Sequence, residues 1–188
     1  MIKIGITGSI ASGKTTASKI ISNKRGPLFS ADSVVQKLYK NKKFKTTVLK
    51  KFNLKLNSNL KKEIIRKILY NKQYLIKLEK IIHPLVRKEM NFFLKKNKYK
   101  EFIFFEIPLL IENKLLKSFD AVIFIKSQHS LRLPRYLFNG GNSKLFSLFN
   151  SHQLKDTVKM KLCSHIVVNN KSLFILKKKL LNIMKLYE

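Results

Sequence analysis

Eight residues near the N-terminus carry the clearest chemistry in this chain. Gly8-Ser9-Ile10-Ala11-Ser12-Gly13-Lys14-Thr15 match G-x-x-x-x-G-K-[ST] in full. In that pattern backbone N–H groups curl around a polyphosphate and the lysine reaches its β- and γ-oxygens. Gly8, Ala11, Ser12, Gly13, Lys14, Thr15 and Thr16 are therefore expected to bind a nucleoside triphosphate, with the Thr15 hydroxyl offered to Mg²⁺. Phosphoryl transfer also needs a group that orients or deprotonates the acceptor. The chain has three aspartates, Asp32, Asp120 and Asp156. Asp32 follows the strand signal Leu28-Phe29-Ser30-Ala31, at the sheet edge where α/β proteins bind ligands. It is a candidate general base, with the N-cap of a helix over 33–40 as the alternative. Asp120 reads as a turn residue and Asp156 as solvated. Glu106 follows Phe102-Ile103-Phe104-Phe105, in the position of a carboxylate that supports Mg²⁺ through water. Glu112, near the same edge, is open between that kind of role and a structural ion pair.

The elements that must position these residues are legible as periodicities. Strand signals at 2–6, 27–30, 102–105, 121–125 and 166–168 alternate with helical spacing. This predicts an α/β fold, a P-loop NTPase parallel sheet flanked by helices. The first strand feeds the glycine loop, and Ala17, Ile20 and Ile21 behind it form one helix face, so the loop opens onto a helix N-terminus. The interval 35–100 lacks a convincing strand and reads as a helical insertion. Its stripes are Leu60, Ile64, Ile65, Ile68 and Leu69; then Leu75, Leu78, Ile81 and Ile82; then Leu85, Val86, Met90, Phe93 and Leu94. Pro84 is expected in the first turn of the third helix, after His83, whose role is open between capping and substrate contact. The polar stretch 126–161 holds Pro134 and Asn139-Gly140-Gly141-Asn142. Its 132–161 portion is a candidate lid, a plain surface connection being the alternative. The core is expected in 1–34, 101–131 and 162–188, closing with Leu173, Leu176, Leu180 and Met184 as a packed helix.

Composition bounds the function. A chain of 188 residues with 45% hydrophobic content supports one compact core. No apolar run reaches the length of a membrane span. The N-terminus runs straight into a strand, so no signal peptide is expected, and the lone Cys163 gives neither a disulfide framework nor a zinc pattern. A reducing, cytoplasmic location is expected. The net charge of +30 comes from 40 basic residues, of which five are arginine and 35 lysine, scattered along the chain. Readers of nucleic acid favour clustered arginine. Abundant lysine, asparagine and isoleucine without tryptophan fits mutational drift, compatible with attraction to polyanionic small molecules. No specific nucleic-acid or membrane partner is expected, and oligomeric state stays open.

Several collinear segments resemble the dephospho-CoA kinase family. Thr7 to Thr15 are similar to its T-G-G-I-x-S-G-K-[ST], with Ser9 for a glycine. Ser30-Ala31-Asp32 resembles its D-A-D, His83-Pro84-Leu85-Val86-Arg87 its H-P-x-[VI]-R, and Glu106-Ile107-Pro108-Leu109-Leu110-Ile111-Glu112 its D-x-P-L-L-x-E. Gln153, Lys159 and Cys163 to Asn169 resemble its C-terminal Q…K/R…A-D-x-[VI]-x-N. The resemblance implies ATP-dependent phosphorylation of the ribose 3′-hydroxyl of dephospho-CoA, the last step of coenzyme A synthesis. It implies Asp32 as base, Asn169 at the nucleotide, and His83, Arg87, Pro108 and Leu109 at the acceptor in a helical substrate-binding insertion.

Two lid arginines of the family fall on Leu133 and Leu137 here, with Arg132 and Arg135 displaced nearby. Ser30 and Ser164 each replace a family aspartate. Arg135 is expected to be the catalytic lid arginine, because Pro134 should start a fresh turn and fix its direction. Other acceptors on the same core, such as a nucleoside monophosphate, are the alternative, followed by a lysine-rich nucleic-acid-binding P-loop protein and an ATP-binding chain without turnover.

Overall fold

The structure is a computed structural model that describes residues 1–55 and 59–188. In chain order its elements are β1 (Ile2–Gly8), α1 (Lys14–Ser22), β2 (Leu28–Ser30), α2 (Ala31–Leu38), α3 (Lys42–Phe52), α4 (Leu60–Tyr70), α5 (Gln73–Lys96), β3 (Phe102–Glu106), β4 (Ala121–Lys126), α6 (His129–Phe138), α7 (Ser143–His152), α8 (Asp156–Leu162), β5 (His165–Val168) and α9 (Leu173–Met184). They divide into two compact units, Met1–Ser30 with Lys96–Glu188, and Ala31–Lys95.

The first unit is built on a parallel sheet in the order β2-β3-β1-β4-β5. All its strands lie where apolar runs predicted them. Side chains alternate across a strand, so Ile4 and Ile6, Phe102 and Phe104, and Ile123 and Ile125 share one face. There they pack with Ala17 and Ile21 of α1 and with Leu176, Leu180 and Met184 of α9, all buried. The opposite face carries Phe105, which lies 5.8 Å from the Phe29 ring and 5.3 Å from Phe119. Burial on both faces is why these strands read as near-continuous hydrophobic runs. Asp120 is the turn residue expected: its carboxylate accepts the Lys3 N–H at 2.7 Å and its own N–H returns to the Lys3 carbonyl. Ser164, in place of a family aspartate, accepts the Val122 N–H at 3.1 Å.

The second unit is helical. Asparagine caps two of its helices: Asn41 accepts the Phe44 N–H at the start of α3, and Asn59 accepts the Lys62 N–H at the start of α4. Asn142 does the same for α7 in the first unit. The abundant asparagine thus has local structural work.

Two proline expectations need correction. The second and third stripes belong to one continuous helix, α5, with Pro84 inside it. Its buried residues Leu75, Leu78, Ile82 and Met90 keep a single face across the proline. The carbonyl that Pro84 leaves without an intrahelical partner belongs to Lys80 on the exposed side, where solvent can satisfy it. Likewise Pro134 lies within α6 and starts no new turn. A proline breaks a helix only where packing does not hold the two halves together.

Candidate active site

The loop leaves β1 at Gly8, opposite Ile125 of β4. A Cβ at Gly8 would sit 2.4 Å from the Ile125 carbonyl oxygen, so only glycine lets the chain turn there. Gly13 has φ +93°, and a Cβ on it would meet Asn169 Nδ2 at 2.3 Å. Between them Ala11 takes the left-handed conformation at φ 56°, which costs a non-glycine residue ~1–2 kcal/mol and must be held by its surroundings. The Ser12 N–H closes the turn on the Ser9 carbonyl at 3.1 Å. Lys14 Nζ donates to the same carbonyl at 2.9 Å, with the residue only 8% exposed. The first turn of α1 follows at once, so its N-terminal N–H groups sit beside the loop.

Thr15 Oγ1 donates to Glu106 Oε1 at 2.5 Å. Glu106 ends β3, its residue 1% exposed, opposite Ile6 of β1 and Ser30 of β2. With the Thr15 proton committed to the carboxylate, the hydroxyl oxygen keeps its lone pairs as acceptors. An alcohol and a carboxylate are hard oxygen donors that suit Mg²⁺, an ion that keeps several waters and phosphate oxygens as ligands. Among the described residues no group of three or more His, Cys, Asp or Glu side chains is arranged to hold a metal. One direct threonine oxygen with the glutamate acting through water is the form that fits. Pro108 and Leu109 lie in the turn after β3, where the Pro108 carbonyl accepts from Thr7 Oγ1 at 3.0 Å.

Asn169, just past β5, braces the other side of the loop. Its Nδ2 donates to the Ser12 carbonyl at 2.9 Å, and its own carbonyl accepts from Ser127 Oγ and from Arg135. Arg135 also donates to Ser127 Oγ at 3.0 Å. Arg132 is 6% exposed, with NH1 on Asn150 Oδ1 at 2.8 Å and on the Ile10 carbonyl at 3.3 Å. Its guanidinium lies 5.8 Å from the Phe146 ring centroid. Burial pushes the Arg132 pKa down from the ordinary arginine value, and the Asp156 carboxylate pulls it back up. It remains a cation at neutral pH.

Three links run from α6 to α8 and the turn between α7 and α8 onto loop residues 9 and 10. Arg132 holds the Ile10 carbonyl, Gln153 Oε1 accepts the Ile10 N–H at 3.1 Å, and the Ser9 hydroxyl donates to the Asp156 carboxylate. The last of these corrects the expectation of a solvated Asp156. Its sequence signal was Ser9, a hydroxyl where the resembled family carries glycine. Glu112 resolves as a structural ion pair: it meets Lys159 Nζ at 2.8 Å with the lysine fully buried, and it also accepts the Leu154 N–H.

In the second unit, Asp32 lies in the first turn of α2, which begins at Ala31. It is therefore inside the helix and is not an N-cap for 33–40. Its charge sits at the favourable end of the helix dipole. His83 and Arg87 line a groove of about 690 Å³ along α5 with Lys80, Lys88, Asn91, Lys95 and the largely exposed Phe92.

A strand-loop-helix phosphate cradle with a threonine–glutamate pair at the adjoining strand end fits many kinases, so relatedness decides among them. The sequence profile of the dephospho-CoA kinase family matches residues 2–174. The chain belongs to the dephospho-CoA kinase family. A dephospho-CoA kinase of Fusobacterium nucleatum is 32% identical over 183 residues, covering 94% of this chain and 93% of its own. One from Bartonella quintana is 33% identical over 175 residues, with 90% of each chain covered. The fold is similar to a solved protein of Thermus thermophilus, with a TM-score of 0.79 and 24% identity over 98% of this chain and 96% of that one. No helix among the described residues is long and apolar enough to cross a membrane.

Proposed function

We propose that this chain transfers the γ-phosphoryl group of ATP to the ribose 3′-hydroxyl of dephospho-CoA, in the cytoplasm, as its family membership suggests. The observation that carries the reading is the juxtaposition of the Lys14 loop with the Thr15–Glu106 pair at the ends of β1 and β3. These groups suit the triphosphate of a nucleotide, and the family supplies the acceptor.

In this reading the loop amides and Lys14 bind the β- and γ-phosphates. Gly8 and Gly13 allow the close backbone approach, and Ala11, Ser12 and Thr16 lie along the same cradle. Asn169 supports the nucleotide side through its hold on Ser12. Thr15 and, through water, Glu106 would hold Mg²⁺, which when bound neutralises charge on the phosphate oxygens. Asp32 takes the proton of the 3′-hydroxyl. The freed oxygen bonds to the γ-phosphorus while the bond to the β–γ bridging oxygen breaks, releasing ADP. His83 and Arg87, on a groove rich in lysine, would hold the anionic acceptor, with Pro108 and Leu109 contributing apolar contact. Arg132 and Arg135 are the guanidinium groups available to brace transferring charge. The insertion expected over 35–100, most of which falls in the Ala31–Lys95 unit, would bind the acceptor, and 132–161 would serve as the lid.

A coupled assay measuring ADP release tests this directly. Purified protein is expected to turn over ATP with dephospho-CoA, and far more slowly with each of a panel of nucleoside monophosphates. Preference for a nucleoside monophosphate would reassign the acceptor while leaving the cradle intact.

A further inference from the structure

The Ser9–Asp156 contact belongs to a part of the loop that the phosphate chemistry does not itself require. Ser9 is 2% exposed and its hydroxyl donates to the Asp156 carboxylate. The Ser9 carbonyl is meanwhile the acceptor for both Lys14 Nζ and the Ser12 N–H. One residue therefore fixes the lysine, closes the turn and is anchored from outside. Next to it Ile10 is held at both its N–H and its carbonyl, by Gln153 and Arg132. The residue after that, Ala11, is the strained one, at φ 56°. A left-handed alanine persists where its neighbours over-determine the backbone. The same carboxylate also supports the buried Arg132 electrostatically.

We propose that Asp156 is a positioning residue for phosphate binding: through the Ser9 hydroxyl it latches the N-terminal half of the glycine loop to the start of α8. The loop is thereby kept in its binding conformation before the nucleotide arrives. A glycine at position 9 has no hydroxyl to offer, so the latch is a feature of this chain's own Ser9. Preorganisation of this kind lowers the ordering cost of binding, so its loss appears in affinity for ATP more than in the rate of the chemical step. The proposal rests on the reading of the loop as a triphosphate cradle and is independent of which acceptor is used.

The test is a double-mutant cycle with S9A and D156A in the full chain, plus D156N, which keeps an oxygen acceptor for Ser9. Direct titration with a fluorescent ATP analogue reads affinity without any acceptor, and amide hydrogen exchange over residues 8–13 reads the latch itself. Each single variant is expected to weaken nucleotide binding about threefold to tenfold and to speed exchange in the loop. The double variant should be no worse than D156A alone, and D156N should recover most of the loss. KM for ATP should rise while kcat changes less than about twofold. Additive effects of the two mutations, or unchanged loop exchange in both single variants, would overturn the latch. Variants that lose thermal stability yet bind the analogue as wild type does would overturn it equally. Wild-type protein that binds the analogue but ignores dephospho-CoA would instead sink the acceptor assignment, leaving the latch readouts valid.

Discussion

The glycine loop and the α6–α8 arm that contacts it are built by opposite means. The loop is written in consecutive residues: two glycines where a Cβ would collide, a lysine, and a threonine opening a helix. The arm reaches the loop from far along the chain, with Arg132 (itself bonded to Asn150), Gln153 and Asp156 converging on Ser9 and Ile10. In the loop, a shift of one residue would move the lysine off the phosphates. Locally encoded sites fail sharply under substitution, and tertiary sites fail by degrees.

That difference ranks the expected effects. Asp32→Asn, in the first turn of α2, should lose ~10²–10⁴ in kcat with ATP affinity nearly intact, the cost of a missing general base. Normal turnover with lowered stability would leave Asp32 only a helix-dipole role. Lys14→Ala should cost ~10²–10³ in kcat/KM. Retention of more than about a tenth of the wild-type value would end the reading of this loop as the cradle.

Next comes the arm's own foundation. Glu112→Ala strips the partner from the fully buried Lys159 and should destabilise the fold by ~3–5 kcal/mol in denaturant unfolding. A loss under about 1 kcal/mol would show the pair to be dispensable.

Smaller still are the two arginines. The contacts argue for the opposite order to the one expected from the proline, because α6 runs through Pro134 and it is Arg132 that is buried against the loop. Arg132→Ala is expected to cost about tenfold in kcat/KM and Arg135→Ala about threefold, in steady-state assays of both single variants. Equal or opposite ranking would mean that contact with the loop is not what matters in the arm.

Salt should produce the mildest response. A pocket for one or two phosphorylated small molecules weakens gradually with ionic strength, whereas counterion release from a duplex would weaken binding steeply. Tight duplex DNA binding at physiological salt would give the lysine surface a role beyond attraction to small polyanions.

The parts legible in the sequence are those that depend on neighbours along the chain. The strands announced themselves because both faces of the sheet are buried, and β1, the loop and α1 because a glycine-lysine spacing permits few geometries. Capping by Asn41, Asn59 and Asn142 was not anticipated, though its signal, an asparagine before a helical stripe, was present. Pro84 and Pro134 misled because a proline's local preference was weighed against too little packing. The apolar face of α5 holds that helix together across Pro84. Asp156 looked solvated because no periodicity links it to Ser9, and Glu112 stayed ambiguous until Lys159 was seen beside it.

By itself, then, the sequence determined where the strands lie and which residues form the phosphate loop, since short-range sterics and hydrophobic periodicity act along the chain. Only the tertiary structure decided which arginine touches the loop, that Asp156 holds Ser9, and that Glu112 is spent on Lys159. These are contacts between residues roughly 50 to 150 positions apart. Their partners are chosen by how elements pack, which no local pattern encodes.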